Sequence, residues 1–369
     1  MFKKLFFISM LYVCACTNAA TPQLVYNGDT LEWNYSWKRM QCGTLDVKKN
    51  IVEVSGIACS RVTPGYIWMQ SDETDENSNP FIIATDEKGA ERACKVKFNK
   101  IYRWDWEDMS GGVYDGKNYL FIGAFGDNDE TDGEYSIIYF EEPAIDPVNK
   151  PEVTVTTSRI KYVYPDGKKH NAEALMYDNR EQIIYIITKV YYDVCQVFQI
   201  PFRLDYGDEE QTLEYVCDLG LKSDLGSGTK PYKGFHLVTG ADISPDGKYI
   251  LIKNHNNIDA TYTWLLYWIR QDGESIADAV KRQPQPLKCY NYEWQGEAVC
   301  WLDDNIFYTT SDSDEGNPPV YKYIRKWGEG VENVKGDDSK RKTSKVFIDN
   351  QLYIRNNEHL YTLDGRRVK

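Results

Sequence analysis

Ala172-Glu-Ala-Leu-Met176, followed after a short turn by Ile184-Tyr-Ile-Ile-Thr188, is an apolar strand that opens beside a glutamate and leads into a second strand. The pattern recurs four more times. Ser55-Gly-Ile-Ala-Cys59 precedes Tyr66-Ile-Trp-Met-Gln70, and Trp106-Glu-Asp-Met-Ser110 precedes Tyr119-Leu-Phe-Ile-Gly123. Thr239-Gly-Ala-Asp-Ile243 precedes Tyr249-Ile-Leu-Ile-Lys253, and Gly296-Glu-Ala-Val-Cys300 precedes Ile306-Phe-Tyr-Thr-Thr310. One unit recurring every roughly 50–70 residues marks a blade array, in which each unit buries its faces against its neighbours. A β-propeller gathers such repeat positions around one axis. Ser55, Glu107, Glu173, Thr239 and Glu297 are therefore expected to face one another across a central tunnel.

Each repeat can be divided into strands. The first reads as Val54–Ser60, Tyr66–Ser71, Pro80–Thr85 and Glu91–Phe98, the second as Trp106–Gly111, Tyr119–Phe125, Tyr135–Phe140 and Val153–Val163. The third reads as Ala172–Tyr177, Ile183–Lys189, Cys195–Ile200 and Leu213–Leu219, the fourth as Thr239–Ser244, Tyr249–Asn254, Thr261–Ile269 and Pro286–Tyr292. The fifth offers Glu297–Leu302, Asn305–Thr310 and Val320–Ile324, and Gly43–Val52 can supply its fourth strand, closing the ring without an open edge. Asp115-Gly116 and Asp246-Gly247, with Asp304-Asn305 in the matching place, read as tight hairpin turns. The fold class is all-β, a five-bladed propeller. A sixth blade would have to lie in Asn27–Asn50 or beyond Lys326.

Composition agrees. The chain of 369 residues is long enough for a sizeable core, and 28 Tyr and 10 Trp with little helical periodicity favour strands. A net charge of −13 argues against nucleic acid and anionic lipid surfaces, and favours cation sites or cationic and neutral ligands.

Residues 1–20 read as an export signal: Lys3-Lys4 precede an apolar run from Leu5 to Ala15 that is too short to span a bilayer. Two processing routes remain open, lipidation at Cys16 in Val13-Cys-Ala-Cys16 and ordinary cleavage at Thr17-Asn-Ala19. Either delivers the protein to the periplasm, the outer-membrane surface or the exterior, as an expected monomer with no transmembrane segment. The propeller is assigned to 21–328, a polar connector to 329–344 and a hairpin-like tail to 345–369. Beyond the signal lie Cys42, Cys59, Cys94, Cys195, Cys217, Cys289 and Cys300, an odd number. Cys195 and Cys217 fall on successive strands and could pair, but buried free thiols are the favoured reading, and no spacing suggests zinc.

Chemistry is expected on the face where the innermost strands begin. The connections between second and third strands share that face and are acidic: Ser71-Asp-Glu-Thr-Asp-Glu-Asn77, Gly126-Asp-Asn-Asp-Glu-Thr-Asp132 and Ser311-Asp-Ser-Asp-Glu-Gly316. These runs lack EF-hand spacing, and solvated turns are their plainer explanation. Loops entering the innermost strands carry Trp104-Asp105, His170, His236 and Trp294, and His255 falls in a loop of the same face. His170 and His236 are candidate bases. Trp104, Lys189, Lys253, His255 and Trp294 are candidate ligand contacts, the lysines as point charges for phosphate. Three tunnel carboxylates near one another raise each other's pKa unless a cation compensates. Calcium, which takes roughly six to eight oxygen ligands, would fit the all-oxygen set Ser55, Glu107, Glu173, Thr239 and Glu297. Alternatively the glutamates tie neighbouring blades through backbone amides.

The order Ser, Glu, Glu, Thr, Glu at the blade starts resembles the calcium-activated nucleotidases (soluble apyrases). Ala172-Glu-Ala-Leu175, Gly296-Glu-Ala-Val299 and Tyr119-Leu-Phe-Ile-Gly-Ala-Phe-Gly126 are similar to that family's third-blade, fifth-blade and second-blade motifs. The resemblance implies a five-bladed propeller with tunnel calcium. The chain departs from it at Thr188-Lys-Val-Tyr-Tyr-Asp193, where the family is arginine-rich. Asp105-Trp-Glu-Asp-Met109, Tyr164-Pro-Asp-Gly167 and Asn171-Ala-Glu-Ala-Leu175 also resemble uncharacterised secreted propellers grouped with phytase-like esterases. Leu360-Tyr-Thr-Leu-Asp-Gly-Arg-Arg-Val-Lys369 resembles the end of C-terminal sorting tails of Bacteroidetes secreted proteins. Two functions are in play: a calcium-containing module that binds a small molecule, glycan or protein at the mouth, and a calcium-dependent phosphohydrolase. No nucleophile elbow, HExxH or Walker loop is present.

Overall fold

The computed structural model describes residues 26–27, 30–31, 37–47, 51–72, 80–100, 102, 105–191, 194–219, 236–256, 263–282, 284–290, 293–312, 316–325, 343–348, 351–356 and 359–361. Residues 1–20, read above as an export signal, Trp104 and residues 326–342, which hold most of the expected connector, lie outside them.

The repeats fold into blades because their strands are apolar on both faces. In the third repeat Ile184 and Ile186 pack toward the second blade, while Tyr185 and Ile187 pack toward the fourth. Five hydrophobic clusters result, one in each of the five interfaces between successive blades, including that between the last and the first. The all-β, five-bladed propeller is thus established. Blade 1 consists of Val54–Cys59, Tyr66–Ser71, Phe81–Asp86 and Arg92–Phe98. Blade 2 consists of Trp106–Tyr114, Lys117–Ala124, Tyr135–Glu141 and Ser158–Val163. Blade 3 contains Ala172–Asp178, Ile183–Thr188, Cys195–Pro201 and Glu214–Leu219, and blade 4 contains His236–Ile243, Tyr249–Asn256, Thr263–Ile269 and Gln285–Tyr290.

Blade 5 comprises Gly296–Asp303, Ile306–Ser311 and Pro319–Arg325, and Trp37–Thr44 completes it, antiparallel to Pro319–Arg325. The closing strand therefore lies earlier than the expected Gly43–Val52. Leu45 and Ile51 are buried in the interface of blades 5 and 1, so this stretch fills a core instead of extending a ladder.

The expected strand Val153–Val163 also divides. Glu152–Val155 runs parallel to the outer strand of blade 1, whereas Ser158–Val163 pairs within blade 2. Glu210–Thr212 does the same one blade on, parallel to Ser158–Val163. Each addition covers an edge that would otherwise offer unpaired N–H and C=O groups. The Asp115-Gly116 turn carries positive φ at both residues, as a two-residue hairpin with right-handed strand twist requires. Among the described residues the one helix is the single turn Ile276–Ala279, capped by Ser275, whose side chain accepts from the Asp278 N–H.

Residues 326–369 form a separate unit. Its described part is an antiparallel sheet of Thr343–Ile348, Gln351–Asn356 and His359–Tyr361, three strands where a hairpin was expected.

All five innermost strands are irregular at the same point. The register with the second strand shifts between Val54 and Gly56, Trp106 and Met109, Ala172 and Ala174, Val238 and Gly240, and Gly296 and Val299. The residues skipped include Ser55, Glu107, Glu173, Thr239 and Glu297. A β-bulge leaves its extra residue out of the ladder and re-aims the side chain. The sequence repeat is thus a repeated bulge.

Candidate functional site

The five bulge residues divide into two kinds. The Ser55 hydroxyl donates to the Trp106 carbonyl at 3.0 Å, and the Thr239 hydroxyl donates to the Gly296 carbonyl at 2.8 Å. Each ties its blade to the opening of the next. Among the described residues the three glutamates make no comparable bond to backbone amides. That task falls to Asp108 and Asp242. Asp108 accepts from the N–H groups of Met109, Leu175 and Ala241 at 2.8, 2.9 and 2.8 Å, joining blades 2, 3 and 4. Asp242 accepts from the Trp301 and Ile243 N–H groups and from the Ser110 hydroxyl.

Glu107, Glu173 and Glu297 are nearly buried, at 6, 4 and 7 % exposure. Glu173 is paired: Lys189 Nζ lies 2.5 Å from its Oε2, and Asn171 Nδ2 donates to its Oε1. The Lys189 ammonium also faces Glu297 and Glu107, and these carboxylates hold its pKa above the usual lysine range despite burial. Oε2 of Glu297 is buried without a hydrogen-bond partner among the described residues. Desolvation pushes both carboxyls well up, helped by Glu173 at Glu107 and by Asp72 at Glu297. A buried, unpartnered carboxylate is costly.

These side chains line a cavity of about 450 Å³. Among the described residues its wall carries seven carboxylates, those of Glu53, Asp72, Asp105, Glu107, Glu173, Glu297 and Asp312, against the one ammonium of Lys189, with Tyr191, Asn128 and Gln295 between. Asp72, Asn128 and Asp312 come from the three acidic loops. Asp127 of the same loops serves its own turn, accepting from the Thr131 N–H and the Tyr135 hydroxyl. Glu53 and Gln295, not foreseen, each stand two residues before a bulge residue and share a left-handed backbone, φ 46° and 39°. The same offset gives Asp105 before Glu107, so the repeat itself carried the signal.

Gly126 closes over this wall. A Cβ there would lie 2.0 Å from Glu107 Oε1 and 2.8 Å from the Asp105 carboxyl carbon. Gly126→Ala is expected to displace the Glu107 carboxylate and weaken any ligand held by it at least ~10-fold, while unfolding shifts by only ~1–2 kcal/mol. Ligand titration beside urea denaturation checks this.

The remaining predicted residues are scattered. His170 pairs with Asp166 at 3.0 Å, packs on Tyr164 and does not line the cavity. His236 is described only as the first residue of the blade 4 innermost strand. Trp294 is exposed outside the cavity. Lys253 is fully buried, bonded to Glu293 and donating to the Thr310 carbonyl at 2.6 Å, so its charge is consumed inside the interface of blades 4 and 5. His255 is 3 % exposed with neither ring nitrogen partnered, and burial, with Lys189 and Lys253 nearby, pushes its pKa down to about 3. It is a neutral imidazole at physiological pH.

This geometry suits the expected calcium set in part. The orphaned Glu297 Oε2 and the nearly buried Glu107 carboxyl in the same cavity suit a cation. The complete five-residue cage is not preformed: among the described residues no three His, Cys, Asp or Glu side chains gather into a metal-ligand cluster, and Lys189 stands beside Glu173.

No family model matches the chain, and no curated protein matches it. Among solved structures it is similar to a GH43_1 enzyme from Xanthomonas citri, at 10 % identity over 78 % of this chain and 92 % of that one, with a TM-score of 0.47. It is also similar to an endo-arabinase from Bacteroides thetaiotaomicron, at 12 % identity over 78 and 98 %, TM-score 0.46. A third is the Pseudomonas aeruginosa periplasmic gluconolactonase PpgL, at 10 % identity over 82 % of each chain, TM-score 0.34.

Proposed function

We propose that this protein is an exported, ligand-binding propeller whose tunnel mouth captures a cation, with calcium as the inorganic probe. The carrying observation is that Glu107 and Glu297 are more than nine-tenths buried, that Oε2 of Glu297 has no hydrogen-bond partner among the described residues, and that both line a cavity whose described wall holds seven carboxylates and one ammonium. Such a wall selects positive charge and repels anions. Glu107 and Glu297 would hold the ion, with Glu173 shared with Lys189, and water completing the shell. Export is supported by Lys3-Lys4 and the apolar run behind them. A phosphate ester would be repelled by these walls unless a cation lay between, so hydrolysis is subordinate to cation binding and is tested after it.

Calorimetric titration of the chelator-stripped protein with calcium should give saturable binding. Glu297→Gln is expected to weaken it at least ~10-fold, equivalent to ~1.4 kcal/mol. Lys189→Met should strengthen it by about as much, because the competing ammonium is removed. No heat at millimolar calcium in the wild type and in Lys189→Met would sink the reading.

A further inference from the structure

Cys59 and Cys300 lie on the innermost strands of blades 1 and 5, 241 positions apart in sequence. Their sulfurs are 3.4 Å apart and both residues are buried. Of the other described cysteines, Cys42 and Cys94 donate to main-chain carbonyls instead. The pair sits at a particular place. Blades 1 to 5 follow one another along the chain, and blade 5 meets blade 1 through the closing strand Trp37–Thr44, the apolar cluster containing both cysteines, and polar contacts such as Lys322 and Tyr308 to Glu87.

We infer that Cys59 and Cys300 form a disulfide across the seam of the ring when the protein folds in contact with a disulfide oxidant. The sulfurs need to approach by a further ~1.4 Å, the scale of a side-chain adjustment. The oxidant is a small-molecule disulfide such as oxidised glutathione, and the balance is simple. The Cys59 thiolate attacks one oxidant sulfur and expels a thiolate. The Cys300 thiolate then attacks Sγ of Cys59 and expels the second. The protein loses two protons and two electrons, and the oxidant becomes two thiols. The bond would enclose the innermost strands of blades 2, 3 and 4 in one covalent loop from Cys59 to Cys300, and a loop that long is where cross-linking restricts the unfolded chain most. Burial, and then the neighbouring Cys59, push the Cys300 thiol well above the usual range. Exchange in the closed ring is therefore slow, and the bond forms before the seam shuts and is shielded afterwards.

The full chain is refolded in a glutathione redox buffer, quenched with iodoacetamide under denaturing, non-reducing conditions, and digested for mass spectrometry. A cross-linked peptide pair containing Cys59 and Cys300, with neither residue alkylated, is expected. Reductant should lower the unfolding midpoint of the oxidised protein by on the order of 10 °C and leave Cys59→Ala/Cys300→Ala unmoved. Should the double variant fail to fold, Cys300→Ala alone serves: its Cys59 must be alkylated and its midpoint insensitive to reductant. Full alkylation of both thiols in the refolded wild type overturns the inference, as does a bond from either to another cysteine.

Discussion

Asp108→Ala is expected to destabilise the propeller by ~4 kcal/mol, the largest effect of any single substitution considered. The carboxylate is fully buried and accepts three backbone N–H groups, from Met109 in its own strand, Leu175 in blade 3 and Ala241 in blade 4. Removing it strands all three donors away from water, each at ~1–3 kcal/mol. Part of that cost is returned, because burial pushes the Asp108 pKa well up and the charge is itself expensive to desolvate. Asp108→Asn separates the two terms. Its carbonyl oxygen can still serve Leu175 and Ala241 while its amide faces the Met109 N–H, so a loss of ~1–2 kcal/mol is expected. Urea denaturation of both variants gives the numbers. If Asp108→Ala costs less than ~1 kcal/mol, the axis is held by blade packing alone.

The blade count and the approximate strand positions were legible in the sequence, because each repeat buries both faces of its central strands and so writes short apolar runs at a fixed interval. Strand ends were less so. Leu45 and Ile51 are as apolar as strand residues but fill an interface, and the break between Glu152–Val155 and Ser158–Val163 rests on hydrogen bonds such as Thr157 Oγ1 to the Lys100 carbonyl, which no periodicity records. At the site, the repeat register located the tunnel glutamates but not their company. Lys189 follows, and Lys253 lies within, the second strand of its blade, yet Lys189 reaches the cavity beside Glu173 while Lys253 is neutralised by Glu293, from the loop leading into blade 5. Whether a charge is available depends on a partner far away in sequence. Asp108 and Asp242 were hidden for the same reason: both lie inside the quoted openings, and their partners lie one and two blades away.

Glu107→Gln and Glu297→Gln should each make the cation-free protein more stable, by ~1 kcal/mol, while removing its response to calcium. In the wild type, both carboxyls are raised by desolvation, and Asp242 is pushed up to about 6 by the same cause. A carboxyl whose folded pKa exceeds its unfolded value binds more protons in the folded state, so stability is full below the unfolded value and falls as pH rises toward the folded one. The wild-type midpoint should therefore decline from ~4, the ordinary carboxylate range, upward through about 6. The Gln variants should flatten that decline, leaving the share owed to Asp108 and Asp242. Calcium at a hundredfold excess over its Kd should restore ~2.7 kcal/mol to the wild type at neutral pH and nothing to the double variant. A protein that evolved these glutamates as structural ties would behave in the opposite way: both substitutions would lower the midpoint, equally with and without calcium. Thermal scans across pH 4–8, with and without calcium, distinguish a site kept at a cost for its ligand from a ring held together by its own charges.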